Sequence, residues 1–142
     1  MHERTAVDPS LITAYQSTLY RVLEDWDFVL RVGETSPPLL ALYRSHAVSC
    51  AAFITACNPL SQLLSDAENQ QRQAELAAEL ARRSLTYLEG LGQSASGDWP
   101  GEPSFVVLGL ALEAAKTMGR AYGQNAVVWC DAAARPELVL LR

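Results

Sequence analysis

Lysine and histidine are scarce in this sequence of 142 residues. Lys116 is the only lysine, His2 and His46 are the only histidines, and the formal net charge is −5. A protein that binds duplex nucleic acid needs clustered cations to neutralise phosphates. Nucleic acid is therefore a poor candidate partner, although a single arginine could still contact a small anion.

Cysteine is also sparse, and its spacing fits no known framework. Cys50, Cys57 and Cys130 form neither a zinc knuckle nor a CxxC redox pair. We interpret them as small core residues in a reducing compartment. Because the two histidines are distant as well, we expect no metal site and no cofactor.

Long apolar runs and standard catalytic motifs are missing too. No apolar stretch reaches the ~18 residues that cross a bilayer, and residues 1–10 lack the apolar segment of a signal peptide. The expected location is the cytoplasm, and arginine-rich, alanine-rich usage suggests a bacterial source. There is no Walker loop, GxGxxG, HExxH or GxSxG, so whether the protein is an enzyme stays open.

The residues that are present describe an ordinary folded protein. Hydrophobic residues make up 49% of the chain and charged residues 19%, which is globular composition. The length suits one domain over 1–142, with residues 1–9 expected to form a flexible tail.

Helical and strand patterns alternate along the chain. Ser65 and Glu68 form a capping box that begins a helix ending near Arg83, and residues 50–57 are apolar on both faces apart from Thr55. We predict a single-domain α/β or α+β fold, with a mixed β-sheet of about five to six strands and helices packed on its faces. The other predicted helices are 11–23, 37–46 and 111–122, and the other predicted strands are 26–32, 85–89, 104–110, 126–130 and 137–141.

Chain reversals in this order bring distant polar segments together. If strand 50–57 runs upward, the helix from Ser65 descends, strand 85–89 ascends, and strand 104–110 descends beside it. The polar residues that flank these elements then meet in a crevice at one end of the sheet, where open sheets bind ligands. The candidates are Asn58, Ser61, Asn69, Trp99, Glu102, Ser104, Gln124 and Asn125.

Two alternatives apply to the asparagines. Asn69 shares a helix face with Leu76 and Leu80 and should point inward, where an unpaired amide costs about 1–3 kcal/mol. Its partner could be a ligand, favoured also by the positive end of the helix. Alternatively, Asn58 and Asn69 bond neighbouring backbone and only hold the turn together.

The loop 90–103 and the residues near it also allow two interpretations. Trp99 could be part of a lid that stacks on a ligand, or it could pin a surface loop. Glu102 could act as a general acid or base, but we favour an ion pair with Arg72 or Arg120. Cys57 could be imagined as a nucleophile, yet no histidine is predicted to approach it.

Three ordered blocks carry a family resemblance. "AAFITACNPLSQLLSDAENQ", "DWPGEPSFVVLGL" and "GRAYGQNAVVW" resemble the domain of unknown function 3293 family, from about Thr13 to Trp129. The resemblance implies mostly bacterial proteins with no assigned activity. Many members are similar in carrying an aromatic residue where this chain has Cys57, which weakens thiol chemistry there.

We therefore expect a cytoplasmic protein that binds a small polar or anionic molecule, such as a nucleotide-like one, at one end of its sheet. The alternative is an interaction module, without catalysis, that binds a protein partner or a second copy of itself. The last strand, "ELVLL", is the candidate exposed edge for such pairing. We expect no membrane partner.

Overall fold

The computed structural model describes residues 5–24, 27–97 and 101–142. Within them the chain forms four helices and seven strands, and a 3₁₀ turn at Pro59–Ser61 precedes the third helix. The helices are α1 (Pro9–Ser17), α2 (Pro37–His46), α3 (Asp66–Arg82) and α4 (Leu112–Ala121). The strands are β1 (Leu19–Leu23), β2 (Phe28–Leu30), β3 (Ala51–Ile54), β4 (Tyr87–Gln93), β5 (Glu102–Leu108), β6 (Ala126–Cys130) and β7 (Pro136–Leu140).

All seven strands form one sheet in the order β2-β1-β4-β5-β3-β6-β7. The prediction of five to six strands is therefore wrong in number. We expected a mixed sheet, but every pairing between neighbouring strands in the described residues is antiparallel. Strands β3 and β4 do run in the same direction, as the predicted crossover requires, but β5 lies between them.

Helices pack on both faces of the sheet through apolar side chains. The predicted arrangement, a central sheet with helices on its faces, is therefore confirmed. On one face, Leu39 and Tyr43 of α2 pack on strand residues such as Phe53. On the other, Leu76 and Leu80 of α3 pack on residues that include Phe105. None of the helices in the described ranges is both long and apolar enough to cross a membrane.

The first predicted helix is wrong in its second half. The helix ends at Ser17, and Leu19–Leu23 is a strand in which Tyr20 and Val22 are buried alternately. Leu19 and Val22 fit a helical stripe as well as a strand, and pairing with β4 selects the strand. The predicted strand 26–32 is longer than the observed β2, which spans Phe28–Leu30. Trp26 lies outside the described residues. Val7, in the expected tail, is buried.

The predicted loop 90–103 is also partly wrong, because residues 90–93 continue β4. Glycine normally weakens a strand, but Gly90 allows a close approach here. A Cβ atom at Gly90 would lie 2.8 Å from Cε2 of Phe53. The glycine therefore makes room for an aromatic ring and does not end the strand.

The ends of several elements are fixed by local residues. Ser36 caps α2 by accepting a hydrogen bond from the Leu39 amide. Ser65 and Glu68 form the predicted capping box of α3. Strand β6 has its predicted bounds, and Gly123 after α4 has φ +71°, a conformation that glycine tolerates.

Candidate functional site

The polar segments meet at one end of the sheet, as the chain direction predicts. Strand β3 ends there, and β5 and β6 begin there, because both are antiparallel to β3. The side chain of Gln124 spans two of the segments: its Nε2 donates to the Cys57 carbonyl at 3.1 Å. We call this the polar end of the sheet.

A cavity of about 800 Å³ opens at the polar end, between α1, α3 and the strand ends. We call it the strand-end cavity. Most of its walls are apolar or aromatic, with Tyr20 and Phe53 on one face of the sheet and Phe105 on the other, so the cavity extends around the end of the sheet. Trp99 lies outside the described residues. The other predicted site residues all line the cavity: Asn58, Ser61, Asn69, Glu102, Ser104, Gln124 and Asn125.

Asn58 and Asn69 hold the turn between β3 and α3 together. Asn69 Oδ1 accepts from the Asn58 amide at 2.9 Å, and Asn69 Nδ2 donates to Asn58 Oδ1 at 2.8 Å. Asn58 Oδ1 also accepts from the Leu64 amide at 3.0 Å. Asn58 itself has φ +47°, a left-handed conformation that asparagine adopts more readily than most residues. These bonds match the alternative in which the two asparagines bond neighbouring groups and hold the turn together.

Glu102 is the charged group held by this turn. Its Oε2 accepts from Asn58 Nδ2 at 2.9 Å. Burial raises the pKa of the Glu102 carboxyl above its ordinary value, and the Asn58 hydrogen bond only partly opposes this. The predicted ion pair with Arg72 or Arg120 is wrong, because none of the ion pairs found in the described residues involves Glu102.

Arg72 instead joins two backbone segments. Its Nε donates to the Ala56 carbonyl at 2.6 Å, and its Nη2 donates to the Tyr122 carbonyl at 2.5 Å. The guanidinium thus ties the end of β3 to the end of α4. Only the folded turn presents these carbonyls, so no sequence pattern identifies them as partners.

Gln73 is a second residue that the sequence reasoning missed. It is buried, and its Oε1 accepts from the Ala56 amide at 2.6 Å and from Thr55 Oγ1 at 3.3 Å. Thr55 in turn donates to the Pro103 carbonyl at 2.7 Å. A step of four residues from Asn69 reaches Gln73 on the inward helix face, and this spacing is the signal that could have found it.

Hydroxyl and amide groups cluster at the rim of the strand-end cavity. Tyr15 Oη and Ser61 Oγ are 2.7 Å apart, and Asn125 Nδ2 donates to both, at 3.3 and 3.1 Å. Arg142 Nη1 donates to Asn125 Oδ1 at 3.0 Å. Ser104, deeper in, donates to the Glu102 carbonyl at 3.1 Å. Tyr15 and Arg142 were not predicted, since both lie far from this cluster in sequence.

The residues at the polar end do not favour a nucleophilic thiol or a bound metal ion. Cys57 is buried, and burial raises the pKa of its thiol, which disfavours the thiolate that a nucleophile requires. Among the described residues, no group of three or more His, Cys, Asp or Glu side chains is arranged to hold a metal ion.

The charges that line the strand-end cavity are negative. Asp66, Glu89 and Glu102 contribute carboxylates, and the described lining includes no lysine, arginine or histidine; Arg142 reaches the rim, where its guanidinium is engaged by Asn125. The positive end of α3 is already occupied, because Ser65 accepts from the Glu68 amide and the first turn carries Asp66 and Glu68. These features disfavour an anion.

Comparison with known proteins gives one match. A family model described as "Protein of unknown function (DUF3293)" matches residues 54–127, just over half of the chain. The match is shorter than the resemblance we noted from about Thr13 to Trp129, but it includes all eight predicted site residues. No curated protein and no solved structure matches the chain.

Proposed function

Because the chain belongs to the DUF3293 family of proteins of unknown function, we propose a function from the site itself: this protein binds a small polar molecule in the strand-end cavity. The observation that carries the proposal is the convergence of seven residues, predicted from the sequence as one set, on one cavity of about 800 Å³. Such a volume is typical of sites for small molecules and cofactors.

The construction of the cavity supports a binding role. Its walls are largely apolar, while a few polar groups occupy fixed positions at one end. Ligand sites commonly combine these two features, since apolar surface supplies affinity and a few polar groups fix orientation. Glu102 is held in place through Asn58, which Asn69 holds in turn. A preorganised group of this kind binds without a large ordering cost.

We predicted a polar or anionic, nucleotide-like ligand from the sequence. The proposal keeps the polar ligand and does not favour the anion, because a phosphate would lie among carboxylates with no cationic side chain in the described lining.

A screen against wild-type protein and one blocked variant tests the proposal. Gly92 lines the cavity, and a Cβ atom added there meets nothing closer than 3.8 Å. A valine at this position therefore places its Cβ atom in cavity space with no close contact, and its methyl groups take up further space there. We expect some members of a panel of nucleosides, sugar phosphates, amino acids and amines to raise the melting temperature of the wild type but not of Gly92→Val. If no compound stabilises the wild type, or the variant responds equally, the proposal fails.

The second candidate function is an interaction module that uses an edge of the sheet. Strand β7 lies at such an edge, and an unpaired edge can pair with another strand. Its first residue is already engaged, since the Gly33 amide donates to the Pro136 carbonyl at 2.8 Å. Sedimentation of the purified protein tests this candidate: a stable dimer would favour it, and a monomer at all concentrations would remove it.

A further inference from the structure

One cross-strand row at the polar end contains a gap. Tyr20 of β1 lies opposite Gly92 of β4, and Gly92 lies opposite Glu102 of β5. Directly paired residues direct their side chains to the same face of a sheet. Because Gly92 has no side chain, Tyr20 and Glu102 are separated on that face by an unfilled position, which we call the Gly92 gap.

The neighbouring row shows that glycine alone does not create such a gap. Gly90 lies opposite Ser104, but the space above it is taken, because a Cβ atom there would lie 2.8 Å from the Phe53 ring. A Cβ atom at Gly92 has its nearest neighbour at 3.8 Å, on Thr18. The Gly92 gap is therefore open to the strand-end cavity.

Aromatic rings form one wall near the gap. Tyr20 and Phe53 pack edge to face, with ring centroids 5.0 Å apart and an interplanar angle of 72°. Tyr20 is fixed further, since its hydroxyl donates to the Tyr15 carbonyl at 2.6 Å. Both rings also line the cavity. An apolar or aromatic ligand body would find a rigid surface here.

The Glu102 carboxyl lies at the opposite side of the gap, and only one of its two oxygens accepts a hydrogen bond from the described residues. Oε2 accepts from Asn58, whereas no donor among the described residues reaches Oε1. No fully buried side-chain nitrogen or oxygen in those residues lacks a partner, so Oε1 is not fully buried, and Glu102 is a lining residue of the cavity. This second oxygen of a half-buried carboxyl can accept a hydrogen bond from a ligand.

We propose that the strand-end cavity binds a cationic amine with a compact apolar body, whose ammonium group donates to Oε1 of Glu102 and whose body occupies the Gly92 gap beside Tyr20. The inference rests on the proposed function, because it names the ligand class of the same cavity.

Electrostatics and shape favour this class over the others. A half-buried carboxylate has lost part of its hydration, and a ligand cation restores a partner of opposite charge. The face of an aromatic ring also attracts an ammonium group. Asp66 and Glu89 add negative charge around the same cavity, which raises the local concentration of cations and lowers that of anions.

A matched series of three small probes tests the inference by calorimetric titration. Phenethylamine, phenethyl alcohol and phenylacetate share one apolar body and differ in the charge of the head group. We expect phenethylamine to bind wild-type protein at least about 10-fold more tightly than the alcohol, since a hydrogen bond to a charged group contributes this much or more. Phenylacetate should bind most weakly.

Three variants identify the contact. Glu102→Gln keeps the shape of the side chain and should lower phenethylamine affinity by about 10-fold or more, while the affinity of the alcohol changes little. Glu89→Gln removes the same charge from an exposed lining residue and should change phenethylamine affinity by no more than about 2-fold. Gly92→Val should weaken both the amine and the alcohol. Circular dichroism verifies that each variant is folded.

Other results of these titrations show whether the amine inference alone fails or the cavity proposal fails with it. If phenylacetate or the alcohol binds as tightly as the amine, and Gly92→Val still blocks binding, the amine inference is overturned and the cavity proposal stands. The same holds if only a nucleotide or sugar phosphate stabilises the protein. Equal losses in Glu102→Gln and Glu89→Gln would also overturn the inference, since general electrostatics would then explain the preference. If no probe and no panel compound binds, both proposals fail.

Discussion

The side-chain amide of Asn69 pairs with Asn58 at both of its polar atoms. Oδ1 accepts from the Asn58 backbone amide at 2.9 Å, and Nδ2 donates to the Asn58 side chain at 2.8 Å. Asn58 then donates to Glu102 at 2.9 Å. One helix residue therefore fixes the position of the charged group in the strand-end cavity, although it makes no hydrogen bond to that group itself.

Removing the Asn69 amide should destabilise the protein. In Asn69→Ala, the Asn58 amide and the Asn58 side-chain oxygen each lose a hydrogen bond, at a cost of about 1–3 kcal/mol in the free energy of unfolding. Denaturant titration measures this cost. Gln70→Ala is the matched control, because Gln70 is the next residue of α3 and is exposed. Equal stabilities for the two variants would show that the Asn58–Asn69 pair contributes nothing.

Arginine at position 72 should not be replaceable by lysine. The guanidinium reaches the Ala56 and Tyr122 carbonyls from two different nitrogens, whereas the ammonium group of lysine is a single point. Arg72→Lys should lose at least one of these bonds and lower the free energy of unfolding by about 1–3 kcal/mol. Arg83→Lys is the control, since Arg83 makes an exposed ion pair with Glu79 and should change stability little. A similar small effect at Arg72 would contradict the bridging role.

The two glycines of β4 should respond differently to the same substitution. A methyl group at Gly90 would lie 2.8 Å from Phe53, whereas a methyl group at Gly92 would lie no closer than 3.8 Å to any neighbour. We expect Gly90→Ala to destabilise the protein by about 1–3 kcal/mol through overpacking. Gly92→Ala should be neutral or slightly stabilising, because alanine restricts the unfolded chain. Equal losses at both positions would contradict an open Gly92 gap.

The stability of the protein should depend on pH through Glu102. Burial raises the pKa of this carboxyl above its ordinary value of 4.5, so between that value and the raised one the folded state holds more protons than the unfolded state. The free energy of unfolding therefore falls as pH rises through this window. Tyr20 and Cys57, which face the carboxyl, also have raised pKa values and stay neutral there.

Glu102→Gln isolates this contribution. The neutral amide removes the cost of a buried charge, so the melting temperature of the variant should exceed that of the wild type by more at about pH 7 than at about pH 4. A wild type that gains stability relative to Glu102→Gln as pH rises would reverse the sign and contradict the assignment.

Secondary-structure elements were predictable where residues close in sequence mark their ends. Ser65 and Glu68 mark the start of α3 within four residues. The convergence at the polar end was also predictable, because it follows from the direction of successive elements. Asn58, Glu102 and Gln124 meet for this reason, although their contacts could not be assigned.

The errors concern features that depend on distant partners. Leu19 and Val22 fit a helix or a strand equally, and only pairing with β4 decides between them. Gly90 resembles a loop residue until the Phe53 ring is placed against it. Glu102 lacks the expected arginine partner because Arg72 bonds carbonyls that only the folded turn presents.

Chemical-shift mapping of backbone amides in ¹⁵N-labelled protein, titrated with phenethylamine, tests the central claim most directly. We expect saturable shifts at Tyr20, Gly92, Glu102 and Ser104, with the edge strand β2 unaffected. Saturable shifts confined to β7, or no shift anywhere at millimolar phenethylamine, would contradict a strand-end cavity that binds a cationic amine.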